Sequence, residues 1–440
     1  MPAEPFHLAW FLNGYRVHGW DTPFIGTGAH DWMMPDFYND FARSLERAGF
    51  DYIILEDSAY VPDGYGSSHD FYLRNAMHIP KHDPSVLASV LTQNTSRLGI
   101  VTTLNITEYR PYMLARLIST LDHVSKGRAG WNMVTGSSDR AAQNYGFERQ
   151  PDHDLRYEMA EEYTQLVRQL WDSWEPGSMV VDKEGGVFVD PTKVHAINFE
   201  GKFYKSRGPL NTARSPQGQP PIIQAGGSSA GRGYAAKNAD SIIATGGTIA
   251  ELKAYRDDVR ARMVGFGRKP DDCKVLFLVS PIIGESEEDA QGKKRRMHEA
   301  AVAHPETRLA NMGFATNIDF SVYDLDTPLG EFASELKTNG HQSSLDAFIR
   351  GNEHRTLRDV AANGYSGQRV ELIGTPDAIA AQMEEVMEEV GGDGFLITLD
   401  TLTRRSIAEV TDGLVPALQK RGLTRTSYAY DHFRDNLLEF

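Results

Sequence analysis

Short apolar runs alternate along this chain with amphipathic stretches of helical period, and that alternation limits the fold more than any other feature. The runs at 6–12, 51–57, 98–105, 128–135, 221–225, 240–245, 274–283 and 394–400 have the length of strands. Between or after them, 37–48, 84–96, 111–124, 154–171, 231–238, 249–264, 287–303, 376–390 and 407–421 carry the spacing of helices. Asp83 stands where it can cap one helix, and Gly49 and Gly127 follow others as stop signals. Strands that are almost continuously apolar belong to a parallel sheet covered on both faces. Eight such strands with helices between them predict an α/β chain folded as a TIM (β/α)8 barrel. An open doubly wound sheet is the structural alternative.

Two stretches break the pattern. Residues 175–215 are rich in Gly, Pro and Asp with short aromatic pieces, and predict an excursion with a hairpin. Residues 304–368 lose the alternation altogether. The expectation is one barrel domain over 1–440, with insertions at about 175–215 and 304–368 and a lid loop at about 58–82.

Composition narrows the function. Asp and Glu number 60 against 45 Lys and Arg, a net charge of −15, which argues against nucleic acid or an anionic membrane as partner. The single cysteine, Cys273, forms no internal disulfide and no Cys-based zinc cluster, so a cytoplasmic location is expected. Residues 1–12 lack the basic and apolar regions of a signal peptide. His78 and His82 are four apart, but Pro80 lies between them and breaks any helix, so no metal site is predicted.

A barrel places its chemistry at the C-terminal ends of its strands. Those ends carry Asn13, Gly14, Glu56, Asp57, Ser58, Thr103, Asn105, Asn132, Thr135, the run 226–229, the run 246–248 and Asp400. Gln224-Ala225-Gly226-Gly227-Ser228-Ser229-Ala230-Gly231 follows a strand and opens a helix. Its small residues allow close approach of a ligand, and the helix-start N–H groups with the Ser228 and Ser229 hydroxyls suit a phosphate. A tight turn that needs glycine explains the same run equally well. His153 and Tyr157 share one face at a helix start, as a capped helix with a packing tyrosine also would. His18 lies in the loop after the first strand.

Together with 127–135 (GRAGWNMVT), 144–146 (NYG), 153–157 (HDLRY), 170–174 (LWDSW), 207–210 (RGPL) and 214–218 (RSPQG), these segments resemble the bacterial-luciferase-like flavin monooxygenases. The matching subgroup is that of the nitrilotriacetate, EDTA and dibenzothiophene-sulfone monooxygenases. The motifs stand in the family's order over most of the chain and are weakest at 304–368.

The resemblance implies a TIM barrel and a two-component enzyme. FMNH2 would come from a separate NAD(P)H:FMN flavin reductase and react with O2 to a flavin C4a-(hydro)peroxide. One oxygen atom would pass to a small organic substrate, with C–N, C–S or C–halogen cleavage as a consequence. Carried over by motif, the FMN contacts are Asp57, Thr103, His153, Tyr157 and Ser228, with Asn132 and Ser229 added on local position. His18 is the candidate hydrogen-bond partner of the peroxide or substrate. A homodimer or homotetramer is expected. A non-catalytic flavin-binding barrel and a deazaflavin-dependent oxidoreductase remain as alternatives. Tyr60, Tyr65, Phe71, Tyr72, Met77 and Ile79 in the lid loop favour an aromatic or apolar substrate, while Arg74 and Lys81 leave room for an anionic one; core packing accounts for the same aromatics equally well.

Overall fold

The computed structural model describes residues 4–14, 34–363 and 369–440. Eight parallel strands close into a barrel: β1 (His7–Leu12), β2 (Tyr52–Leu55), β3 (Gly99–Asn105), β4 (Ala129–Val134), β5 (Ile222–Ala225), β6 (Ser241–Ala244), β7 (Lys274–Val279) and β8 (Gly394–Ile397). Each pairs with its neighbour in sequence, and β8 returns to β1 with His7 opposite Gly394. All eight expected strands are therefore present and parallel, with their ends trimmed. The run 274–283 is the exception: it breaks after Val279, and Ile282–Ile283 pairs instead with Ile373–Gly374 outside the barrel.

The period of two along a strand decides which side chains face inward. Ala9, Tyr52, Ile54, Val101, Ile223, Ile243, Leu276 and Leu396 form the inner core. Their neighbours Trp10, Ile53, Trp131, Ile242, Phe277 and Phe395 pack outward against the helices. Continuing the inward parity to the strand ends brings Phe11, Thr103, Asn132, Thr245 and Leu278 to the mouth of the barrel. That end is therefore polar on one side and apolar on the other.

The base of the barrel is plugged. Phe433 and Leu437, on the short helix Phe433–Leu437, are fully buried in the inner core. Gly99 is required there, because a Cβ on it would come 2.6 Å from the Phe433 ring. Beside the plug, Asp51 meets both His7 at 3.0 Å and Arg425 at 2.6 Å, all of them buried.

Residues 175–215 hold two small antiparallel ribbons, Met179–Asp182 with Val187–Val189 and Phe199–Glu200 with Lys205–Ser206. The stretch that loses the strand–helix alternation is mostly helical. It contains Pro305–Thr316, Gln342–Ile349 and Leu357–Asn363, which gather around their own apolar cluster of Leu309, Phe320, Leu329, Leu345 and Leu357. Among the described residues no helix is long and apolar enough to cross a membrane.

Candidate active site at the barrel mouth

A cavity of about 390 Å³ opens at the C-terminal ends of the strands. Asp57, Thr103, Asn132, His153, Tyr157 and Ser228 all line it, although they come from five separate segments of the chain. Ser229 is placed differently: its hydroxyl accepts from Arg262 at 3.2 Å. His18 lies outside the described residues.

Thr103 and Asn132 are paired across β3 and β4, and the Asn132 amide donates to the Thr103 hydroxyl at 2.8 Å. Both side chains are buried, and the Asn132 Oδ1 has no hydrogen-bond partner. Gln224, at the end of β5, repeats the arrangement. Its Nε2 donates to the Tyr157 hydroxyl at 3.3 Å, while its buried Oε1 also lacks a partner. Leaving such an acceptor dry costs roughly 1–3 kcal/mol, and both belong to residues that line the cavity.

Ser228 is the N-cap of the helix Ser229–Asn238, and its Oγ accepts the Gly231 N–H at 3.1 Å. The hydroxyl proton is thereby left to donate elsewhere. Gly231 has to be small here: a Cβ would sit 2.8 Å from the Tyr157 hydroxyl and 2.9 Å from Gly226 Cα. The first N–H groups of a helix have no acceptor within it, so Ser228, the helix start and Tyr157 form a cradle of donors. Burial pushes the Tyr157 phenol above its ordinary range, although Ser228, Gln224 and Arg156 each pull it back. The phenol therefore keeps its proton. The His153 ring packs edge-on to Tyr157 with centroids 5.1 Å apart, and its Nδ1 meets Asp154 at 2.9 Å.

The opposite wall is acidic. Burial raises the Asp57 carboxyl to about 6, against the pull of Lys81 and with the added push of Glu56. Glu108, which no sequence motif marks, also lines the cavity and accepts from Asn105 at 3.0 Å. Burial, helped by the Asp57 charge, raises it to about 7. Glu56 behaves otherwise. Burial alone would raise it, but Lys81 at 2.6 Å and the Gly14 N–H outweigh that and hold it below the ordinary carboxylate range.

A second chamber of about 690 Å³ joins the first along Phe11, Glu56, Gly227, Leu278, Phe314 and His341. Phe314 stands between the two, stacked on the buried His78 ring at 3.6 Å and parallel to Tyr60 at 5.7 Å. His78 Nε2 meets Asn311 at 2.8 Å, and burial drops the imidazole to about 3, so it stays neutral. Among the described residues no group of three or more side chains is arranged to hold a metal ion. Of the lid-loop aromatics, only Tyr60 lines the cavity of about 390 Å³. Tyr72 and Met77 are buried with Ala310, and Tyr65 and Phe71 pack against that group. The apolar substrate preference inferred from them loses its basis, because they hold the loop to the helix Pro305–Thr316.

Comparison with known proteins shows what the chain as a whole is similar to. A family profile described as luciferase-like monooxygenase matches residues 22–394. The chain is similar to a dibenzothiophene-sulfone monooxygenase of Rhodococcus erythropolis (strain XP), 34% identical over 440 positions covering 98% of this chain and 96% of that protein. It is 35% identical to nitrilotriacetate monooxygenase component A of Aminobacter aminovorans, over 97% of this chain and 94% of that one. It also superposes on the crystal structure of a riboflavin lyase with modified FMN and its substrate riboflavin. The TM-score is 0.87 at 31% identity, over 99% of this chain and 96% of that one.

Proposed function

The chain belongs to the luciferase-like monooxygenases, and on that premise we propose that it is the FMNH2-dependent oxygenase of a two-component system acting on a small heteroatom-bearing organic molecule. The observation that carries the cofactor assignment is the donor cradle of Ser228, Tyr157 and the start of the helix Ser229–Asn238, beside Asn132 and Gln224, two cavity-lining residues whose buried amide oxygens lack partners. A flavin mononucleotide offers one phosphate for that cradle and hydroxyl and ring N–H donors for those oxygens. A second nucleotide would need a second cradle, and none is convincing in the sequence.

Ser228, Tyr157 and the start of the helix Ser229–Asn238 would hold the phosphate. Thr103, Asn132, Gln224 and Asp57 would orient the sugar chain and ring, and His153 would close the outer edge by packing on Tyr157. When bound, the reduced flavin supplies the activation of dioxygen from which one atom reaches the substrate. The protein's own task is placement and exclusion of water. Phe11, Val134, Leu278 and Phe314 give the cavity its apolar surface. Asp57 and Glu108, with carboxyls raised to about 6 and about 7, can take or return a proton near neutral pH. The loop 58–82 and the stretch 304–363 would roof the mouth, because the bond from the Tyr72 hydroxyl to the Ala310 carbonyl ties them together at 2.8 Å.

The test is cofactor choice together with reductant supply. The chain should bind reduced FMN more tightly than reduced FAD. With NADH and FMN alone it should not turn over, and adding an NAD(P)H:FMN reductase should start the reaction. Equal or stronger FAD binding, or NADH oxidation by the chain alone, contradicts the proposal.

A further inference from the structure

The chamber of about 690 Å³ shares a wall with the proposed flavin cavity but includes none of Thr103, Asn132, Tyr157 and Ser228. If FMN fills the smaller cavity, this larger space is where the substrate must lie. Its charges are unevenly used. Glu56 is bonded to Lys81 at 2.6 Å, Asp400 faces Arg308 at 3.7 Å, and Glu251 accepts the Gly247 N–H at 2.8 Å. Arg232 is paired with Asp258 at 3.0 Å. Each of these lining charges is thus already engaged.

Arg350 is not. It follows the helix Gln342–Ile349, lines the chamber, and its guanidinium has no carboxylate within ion-pair distance among the described residues. Its backbone N–H donates to the Asp346 carbonyl at 2.9 Å. Arg350 is exposed, and it lines the chamber with no opposing carboxylate of its own among the described residues. Arg369 lines the same chamber and donates to the Ser280 hydroxyl. A guanidinium is planar and forked, and it binds a carboxylate or sulfonate through two parallel hydrogen bonds.

We propose that this chamber selects an organic substrate carrying an oxyanion, a carboxylate or a sulfonate, and that Arg350 is the residue that reads it. The inference rests on the FMN-oxygenase reading, since that reading assigns the chamber to substrate. It replaces the preference for an apolar substrate suggested by the lid-loop aromatics.

The test uses four matched thioethers: thioanisole, para-(methylthio)benzamide, para-(methylthio)benzoate and para-(methylthio)benzenesulfonate. Their binding to the full chain is measured by calorimetry, with FMN titration of every variant run separately. The anionic pair should bind about tenfold more tightly than the amide, as one charge-assisted contact provides. A stronger benzoate or sulfonate response identifies which oxyanion is preferred. Arg350→Ala should abolish the preference and leave FMN affinity unchanged, while Arg350→Lys should keep part of it. Equal affinities across the set, no measurable binding of the anionic members, or an undiminished preference in Arg350→Ala overturns the proposal. Failure of the wild-type chain to bind FMN would instead overturn the cofactor reading.

Discussion

Ser228 shows how much one side chain can decide. As an N-cap it holds its helix, and as a donor it faces the proposed phosphate. Aspartate is an equally good cap, so Ser228→Asp should keep the helix and the melting temperature while placing a carboxylate where the phosphate belongs. Ser228→Ala loses a hydroxyl contact to a charged group, ~1.5–3 kcal/mol of FMN binding, and about 1 kcal/mol of helix capping. Flavin titration with circular dichroism should therefore find Ser228→Asp folded and the weaker binder of the two. An aspartate variant that binds FMN like the wild type would move the phosphate elsewhere. The sequence made Ser228 visible because a glycine-rich strand-to-helix turn is a local pattern. Glu108 stayed hidden because its carboxyl is unusual only through burial and its distance from Asp57, neither of which has a spacing in the sequence.

Glu108 also yields a pH prediction. Its carboxyl is raised from 4.5 to about 7, so the folded chain holds this proton more tightly than the unfolded one. Its contribution therefore turns unfavourable as pH rises from about 4.5 through about 7, and stays so above. Glu108→Gln removes that cost. The variant should melt at a higher temperature than the wild type near pH 8 and at nearly the same temperature near pH 4. A difference that grows on acidification would contradict the assignment.

At the scale of elements, the barrel strands and the helices between them followed from apolar runs and helical spacing, since each of these strands is buried on both faces and each of these helices on one. The roof over the mouth followed less well. In the loop 58–82 the aromatics have no regular period, and whether Tyr72 faces substrate or core depends on a helix more than 200 residues away. The structure resolves that in favour of packing. Tyr72→Phe keeps the ring and removes the one hydroxyl bond to the Ala310 carbonyl, at a cost of roughly 0.5–1.5 kcal/mol. Hydrogen exchange should quicken in 58–82 and 305–316 and remain unchanged in the barrel strands. Uniform change across the barrel would show that the two segments are not a separate roof.

For the whole molecule, the chain closes on itself twice, once where β8 meets β1 and again where the C-terminal helix plugs the base. The plug is not legible in the sequence, because the five residues of Phe433–Leu437 are too few to show a period. Phe433→Ala should lower global stability by ~3–5 kcal/mol, measured by denaturant unfolding, through the cavity it leaves beneath Tyr52. FMN affinity, which the proposed site places at the other end of the barrel, should hardly change in the folded variant. The two ends thus divide the labour, with stability at the base and chemistry at the mouth. The claim about that chemistry is tested most directly by turnover in isotopically labelled dioxygen, with reduced FMN delivered by a separate reductase. Product carrying one labelled oxygen atom per turnover, and none when the reductase is omitted, is the predicted result. Product formed without label, or formed with NADH and FMN alone, would contradict it.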